Sequence, residues 1–245
     1  MYLINIFPLG NISMEYNQKM HMFLTHMVEK YPAYAAAAKD VPGYKILDNS
    51  LIELGGAVDL DRVIKAAEAI EADEIILPDV FCDGPATLKA VEDSIATLNK
   101  KYPNRSWPFK LQAVVQGKDE NEWVHCYIGL LKNPDVDVIG VPKVLAKMHP
   151  QGRPYFVNTY CALHQKPHHL LGMWYSMTEL LEYDQPEAIR SCDTVLTGFI
   201  NKYNMNFWGV RPDGHTVNLE TDVIKYRSLK EIRTNESLRG VECGL

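Results

Sequence analysis

The sequence predicts an α/β protein folded as one (β/α)8 barrel, a TIM barrel, across residues 1–245. Short apolar runs alternate with helix-like segments along the whole chain, and repeated β-α units of this kind form parallel sheets with right-handed crossovers. About eight such units fit into roughly 250 residues, which is the usual size of this barrel. No linker or internal repeat divides the chain. An open doubly wound sheet is the alternative, because no sequence signal reports closure of the sheet.

Eight apolar runs have the length and composition of strands buried on both faces. They are residues 2–7, 44–48, 74–78, 110–116, 136–141, 169–173, 189–193 and 206–210. Between them, apolar residues recur every three or four positions, which predicts amphipathic helices. These are residues 14–30, 59–72, 87–101, 121–131, 153–163, 177–183, 195–203 and 219–228. The alanine-rich stretch 31–43 ends in Pro42-Gly43 and predicts an insertion or lid.

Composition and charge exclude several classes of protein. Hydrophobic residues make up 47% and charged residues 23% of the chain, as in globular proteins, and the formal net charge is −6. This charge excludes a strongly basic nucleic-acid coat, although a local basic patch remains compatible with it. No apolar run approaches the roughly 20 residues of a membrane span, so we expect no membrane partner. The five cysteines are scattered without a C-x-x-C pair, which predicts neither a metal site nor a disulfide framework.

Three of the predicted strands end on or near an aspartate: Asp48, Asp79 and Asp193. The C-terminal ends of parallel strands meet where α/β folds bind ligands, so these carboxylates are candidates for acid/base or nucleophilic chemistry. Each aspartate also has a purely structural interpretation. Asp48 is suited to capping the following turn, Asp79 to a loop, and Asp193 to the N-cap of the next helix.

Further polar and glycine residues stand near these strand ends. Gln116 can donate and accept hydrogen bonds together, and Gly117 and Gly140 permit close approach of the backbone to a ligand. A turn requirement explains both glycines equally well. Glu53 lies close enough to Asp48 in sequence to tune its pKa.

Basic side chains around the sixth and seventh predicted strands are candidates for contact with phosphate or nucleic acid. They are His168, His169 and Arg190. Scattered charges of this kind are more often a solvated face than a nucleic-acid track.

Six segments taken in order resemble the tRNA-guanine transglycosylase superfamily, most closely its short phage-type members that insert 7-deazaguanines into DNA. The resemblance covers roughly residues 44–199. The segments are Asp48-Asn49-Ser50, Asp79, Gln116-Gly117, Ile139-Gly140-Val141, His169-Leu170-Leu171-Gly172 and Ser191-Cys192-Asp193-Thr194.

The resemblance implies a role for each matching position. Asp193 falls on the nucleophile, Asp48 on the general acid/base, and Asp79 on the aspartate that reads the base. Gln116 with Gly117, Gly140 with Val141, and Glu53 fall on positions that line or contact the base. The implied reaction is a pentosyl transfer that replaces guanine in a polynucleotide with a 7-deazaguanine such as 7-cyano-7-deazaguanine, without a cofactor or metal.

The departures from the family bear on the substrate. The tRNA enzymes carry a C-terminal zinc subdomain built from three cysteines and a histidine, and this chain has only Cys243 in that region. The resemblance therefore favours DNA over tRNA as the glycosyl donor. A tRNA or nucleoside transglycosylase and a non-catalytic base-binding or nucleic-acid-binding barrel remain the alternatives. A homodimer or an accessory protein would complete the nucleic-acid surface, and the expected location is the cytoplasm, the host's for a phage-encoded protein.

Overall fold

Eight parallel strands surrounded by helices form a nearly closed (β/α)8 barrel, which confirms the predicted fold class. The structure is a computed structural model that describes residues 1–164, 166–173, 175–206, 208–226 and 242–243. The strands are β1 (Tyr2–Asn5), β2 (Met20–Leu24), β3 (Tyr44–Asp48), β4 (Glu74–Ile76), β5 (Lys110–Val114), β6 (Val138–Pro142), β7 (His168–Met173), β8 (Ile189–Thr194) and β9 (Glu242–Cys243).

The helices lie in the connections between the strands. They are α1 (Thr25–Lys30), α2 (Pro32–Asp40), α3 (Leu51–Leu54), α4 (Leu60–Ile70), α5 (Gly84–Lys101), α6 (Glu120–Lys132), α7 (Gly152–Thr159) and α8 (Leu196–Lys202). Short 3-10 segments are Leu9–Asn17, Pro103–Arg105, Lys143–Lys147, Cys161–Leu163, Met177–Leu181 and Pro186–Ala188. Two aspartates cap the helices that follow β4 and β5: the Asp83 carboxylate accepts from the Ala86 N–H and the Asp119 carboxylate from the Glu122 N–H.

Alternation along the strands separates two apolar cores. One side of each strand faces the helices and builds the larger core, while the other side faces the barrel interior. The interior cluster is small and consists of Ile4, Ile6, Met22, Ile46, Ile76 and Val114. It fills the middle of the barrel, so polar residues at the strand ends are left above and below it.

The barrel closes between β1 and β2 through a side chain. In the described residues no ladder of backbone hydrogen bonds joins these two strands. Instead the Gln18 amide accepts from the Asn5 N–H at 2.6 Å and donates to the Asn5 carbonyl at 2.9 Å, as a strand backbone would. The short strand β9 pairs with β1 at Tyr2 and Leu3. The gap between β1 and β2 is therefore bridged by the Gln18 side chain and not by a full ladder of backbone hydrogen bonds.

Two element predictions are wrong, and their errors offset each other in the strand count. Residues 14–30 are predicted as one helix, but they contain β2 between a 3-10 segment and α1. The run Met20–Leu24 is apolar except for His21, and periodicity alone does not separate a short buried strand from a helix. The predicted eighth strand, 206–210, contains no strand in its described residues, which leave out 207.

Two further predictions at connections also differ from the structure. The predicted helix at 219–228 has only turn and irregular backbone over residues 219–226, and residues 227–228 lie outside the described part. The predicted insertion or lid at 31–43 forms α2, whose Tyr34 and Ala38 are buried in the larger core. This segment is therefore part of the packed helical layer.

Candidate functional site

A cavity of about 390 Å³ opens at the C-terminal ends of the strands. Its floor is the apolar interior cluster, represented by Ile76 and Val114. Its polar lining comes from several strand ends and the loops that follow them. The polar and charged lining residues are Asp48, Asn49, Glu53, Asp79, Gln116, Lys143, Lys147 and Asp193. The structure thus brings the three aspartates singled out in the sequence into one cavity.

Asp193 is held at the cavity wall by two hydrogen bonds to one of its oxygens. The Gly172 N–H donates to Oδ1 at 2.8 Å, and His169 Nε2 lies 3.2 Å from the same oxygen. The side chain is 8% exposed, so it is buried but reaches the cavity. It does not cap the next helix, because the N-cap of α8 is Val195 and Thr194 Oγ1 accepts from the Leu196 N–H. The structural interpretation of Asp193 as a helix cap is therefore wrong.

His169 lies below Asp193 inside the barrel. Its Nδ1 is 2.8 Å from Ser191 Oγ, and Ser191 Oγ also accepts from Arg190 Nε at 3.1 Å. His169 is fully buried, so it supports the Asp193 carboxylate from beneath and does not face the opening.

Asp79 forms a hydrogen-bonded cluster with two amides. Asn49 Nδ2 donates to Asp79 Oδ1 at 2.7 Å, and Gln116 Nε2 donates to Asp79 Oδ2 at 2.6 Å. Gln116 Oε1 accepts from the Cys82 N–H, which fixes the direction of the amide. Burial raises the pKa of Asp79, and the two amide hydrogen bonds oppose that rise. Each carboxylate oxygen has a second lone pair, so Asp79 can still accept from a ligand.

Asp48 stabilises a turn and also lines the cavity. Its Oδ2 accepts from the Ser50 N–H at 2.6 Å, the two-residue pattern of an Asx turn, so the turn-capping interpretation is confirmed. Burial raises the pKa of Asp48 well above its usual range, and the charges of Glu53, Asp193 and Asp79 raise it further. The raised pKa favours the protonated form of the Asp48 carboxyl.

Glu53 and Lys143 place opposite charges at the cavity. Glu53 lies on α3, above Asp48, and its side chain is partly exposed. Desolvation and the Asp193 charge raise the pKa of Glu53, whereas Lys143 lowers it. Burial lowers the pKa of Lys143 to about 8, although the carboxylates of Asp193 and Glu53 act in the opposite direction.

The glycine and valine positions predicted to line the base are not among the residues that line the cavity. A β-carbon on Gly117 would lie 2.5 Å from the Trp123 backbone nitrogen, so this glycine permits α6 to pack closely. A β-carbon on Gly140 would lie 2.9 Å from Leu171 Cδ1, in the barrel interior. Val141 is buried in the larger core. The structure explains both glycines by packing.

Two of the predicted phosphate contacts point away from the cavity. His168 is fully buried and faces α6, where its Nε2 lies 2.9 Å from the Tyr127 hydroxyl, and burial lowers its pKa to about 4. Arg190 lies at the N-terminal ends of the strands and forms a bidentate ion pair with the buried Glu74. Neither side chain faces the opening.

The sequence assigns no individual role to three residues of the site. Asn49 anchors Asp79, Lys143 adds a cation, and the Gly172 N–H holds Asp193. Gly172 has φ +68°, a left-handed conformation that favours glycine. Each of these residues is at least twenty positions away in sequence from the residue that it contacts. Only the order of the strands could have suggested the contacts.

The comparisons with known proteins add no family. The chain matches no protein-family model and no curated protein. Within the described residues, no group of three or more His, Cys, Asp or Glu side chains could hold a metal ion. None of the helices that the structure describes has both the length and the apolarity needed to cross a bilayer.

Proposed function

We propose that the protein is a base-exchange glycosyltransferase that replaces guanine in DNA with a 7-deazaguanine, through a covalent intermediate on Asp193. The observation that carries the proposal is the convergence of Asp48, Asp79 and Asp193 on one cavity, each in a different environment. Carboxylates with separate environments are suited to separate acid, base and nucleophilic roles. The order of the segments in the chain, which resembles the transglycosylases, supports the assignment of roles.

The Asp79 cluster provides the recognition of a purine. The N1–H and 2-amino groups of guanine are adjacent donors, and a carboxylate accepts such a pair through its two oxygens. Gln116 follows β5 beside Asp79; one hydrogen of its Nε2 is donated to Asp79, and the second can be donated to the 6-carbonyl. A base held in this way projects its glycosidic nitrogen away from β4 and β5, across the cavity.

Asp193 is suited to the nucleophilic step. The two hydrogen bonds on Oδ1 fix the carboxylate, and Oδ2 attacks the anomeric carbon. A new C–O bond forms as the C–N bond to guanine breaks, and its electron pair goes to the leaving base. His169 and Gly172 position the nucleophile and do not touch the substrate.

Asp48 acts as the general acid and then as the general base. Its raised pKa favours the protonated carboxyl, which delivers a proton to the departing guanine. The resulting carboxylate then accepts the ring N–H proton of the incoming 7-deazaguanine. The nitrogen of that base attacks the anomeric carbon and releases Asp193, so protons and charges balance over the exchange without a redox cofactor.

The rim of the cavity is suited to a polymer. Phe81 and Tyr175 line the cavity and remain 52% and 50% exposed. Exposed aromatic rings stack on nucleic-acid bases next to a base held in a pocket. In duplex DNA the target nucleotide must leave the stack, at a cost of a few kcal/mol.

The test is an exchange assay with labelled 7-deazaguanine bases and purified protein. Duplex DNA, single-stranded DNA, tRNA and free guanosine serve as separate donors. We expect label to enter DNA, with one guanine released for each base incorporated. Asp193→Asn should lower the rate by about a thousandfold or more, because the amide is a poor nucleophile. Asp93→Asn, an exposed aspartate on α5, is the matched control and should keep the wild-type rate.

The outcomes separate the alternatives. Uptake into tRNA or guanosine alone would assign a different donor to the same cavity. Binding of guanine without exchange into any donor would favour a non-catalytic base-binding barrel. Exchange at the wild-type rate by Asp193→Asn would overturn the nucleophile assignment.

A further inference from the structure

Lys143 is a cation in the wall of an otherwise acidic cavity. It directly follows β6, and its side chain is partly buried. A β-carbon placed on Gly172 would lie 3.2 Å from Lys143 Cδ and 3.6 Å from Nζ, so the lysine stem packs against Gly172. The Gly172 N–H in turn holds Asp193. Lys143 is thus fixed beside the nucleophile.

The order of the strands around the barrel sets the orientation of a bound base. Asp79 follows β4, Gln116 follows β5, Lys143 follows β6, and Asp193 lies on β8. A guanine ring carries its groups in a matching cyclic order: the 2-amino and N1–H donors, the 6-carbonyl, position 7, and then the glycosidic nitrogen. With the donors on Asp79, the carbonyl near Gln116 and the glycosidic nitrogen toward Asp193, position 7 is directed toward β6.

We propose that Lys143 selects the incoming base by its substituent at position 7. The Lys143 ammonium donates a hydrogen bond to a substituent that accepts, such as a nitrile or a carboxamide, and repels a protonated aminomethyl group. This inference rests on the proposed function, since it uses the base orientation set by Asp79 and Asp193. It names the class of 7-deazaguanine that the site takes.

Other charges near the cavity do not reverse this preference. The carboxylates of Asp193 and Glu53 act on Lys143 and would attract a protonated amine, but they come from β8 and from α3 after β3, and position 7 is directed toward β6. Lys147 is exposed at the rim, one turn beyond Lys143, and adds positive charge on the same side. The side of the cavity next to position 7 is therefore cationic.

The experiment measures binding of three free bases by calorimetry: 7-deazaguanine, 7-cyano-7-deazaguanine and 7-aminomethyl-7-deazaguanine. The proteins are the wild type, Lys143→Met, Lys143→Arg and the surface control Lys89→Met. Lys89 lies on α5 in an exposed pair with Asp93, so its loss removes the same charge far from the cavity.

The wild type should bind the cyano base at least about tenfold tighter than the aminomethyl base, the scale of one hydrogen bond from a charged donor. Lys143→Met should remove about tenfold of this preference, taken as the ratio of the affinities for the cyano and aminomethyl bases. Lys143→Arg and Lys89→Met should retain the preference.

Two results would overturn the inference in different ways. Binding of all three bases with a preference that Lys143→Met leaves unchanged would reject the role of Lys143 while leaving the proposed function standing. Failure of the wild type to bind any of the three bases would reject the proposed function and the inference together. Circular dichroism of each variant identifies a loss of binding that comes from misfolding.

Discussion

The two ends of the barrel differ in whether their buried carboxyl groups have an ion-pair partner. At the N-terminal ends of the strands, Glu74 is fully buried, but Arg190 pairs with both of its oxygens and the Tyr44 hydroxyl donates to it. At the C-terminal ends, Asp48 and Asp79 are desolvated without an ion pair in the described residues, and their pKa values are raised. Charge at the first end is neutralised and structural. At the second end the ionised form of the carboxyl groups is destabilised by burial, an arrangement that is common at functional sites.

The apolar interior cluster separates these two ends. Ile46 and Ile76 lie between the Glu74 pair below and the aspartates above. A chain of hydrogen bonds nevertheless runs along the inside of the wall from Arg190 through Ser191 and His169 to Asp193. The structural end therefore also supports the position of the Asp193 carboxylate.

The largest effect is expected at the structural end. Arg190→Met leaves the Glu74 carboxylate buried without its cation, and breaking such a pair typically costs about 3–4 kcal/mol of folding free energy. Urea denaturation followed by circular dichroism measures this loss.

A surface ion pair provides the control for Arg190→Met. Arg62 pairs with Glu29 through two hydrogen bonds in an exposed position, so Arg62→Met should have a much smaller effect on stability. Equal losses for Arg190→Met and Arg62→Met would contradict a structural role specific to the buried pair.

The next largest effect is expected at Asp79. Asp79→Asn replaces one acceptor oxygen with a donor, so the pair of guanine donors is no longer matched, and the affinity for guanine should fall about a hundredfold. Calorimetry with free guanine measures the change. Asp83→Asn on the same loop is the matched control, because asparagine also caps a helix and Asp83 points toward α5. Similar losses in both variants would indicate a loop effect and contradict base recognition by Asp79.

A smaller effect is expected at the rim. Phe81→Ala removes a stacking surface, so the KM for DNA should rise about tenfold, the scale of one base–aromatic contact. The affinity for a free base should stay close to that of the wild type. A steady-state assay with DNA, alongside calorimetry with guanine, compares the two. An equal loss for the free base and for DNA would place Phe81 within the base pocket and contradict a contact with the polymer.

The smallest effect is an increase in stability at Asp48. The folded state raises the pKa of this carboxyl, so it binds the proton more tightly than the unfolded chain does. The contribution of Asp48 to stability therefore declines as the pH rises from the unfolded carboxyl pKa through the raised folded value. Asp48→Asn has no such titration and still offers an oxygen to the Ser50 N–H. At pH 8 it should be more stable than the wild type by about 1 kcal/mol, and the difference should shrink toward pH 4. A difference that does not change with pH would contradict the raised pKa.

The sequence predicts the parts of the site that follow directly from strand ends. Asp48, Asp79 and Gln116 each stand at or just after an apolar run, so parallel pairing brings them to one rim. The strand count itself depended on two errors that offset each other. The sequence does not predict β2, because the short run Met20–Leu24 is almost entirely apolar and has no clear alternation, and residues 206–210 have the composition of a strand without forming one in the described residues.

Contacts between distant segments could not be predicted in this way. Arg190 and Glu74 are 116 positions apart, and nothing local distinguishes a buried structural pair from a phosphate contact. Lys143 follows Pro142 without a recognisable motif, and its place beside Gly172 depends on the packing of β6 against β7. Burial, which sets the pKa values of the site, is known only once the barrel is formed.

The most direct test of the account is identification of the covalent intermediate. Protein denatured during turnover with DNA and without an incoming base is digested and analysed by mass spectrometry. The account predicts that the DNA-linked sugar is attached to the peptide that contains Asp193, and that an excess of 7-deazaguanine removes the adduct. A sugar attached to another side chain, or continued exchange with no adduct on Asp193, would contradict it.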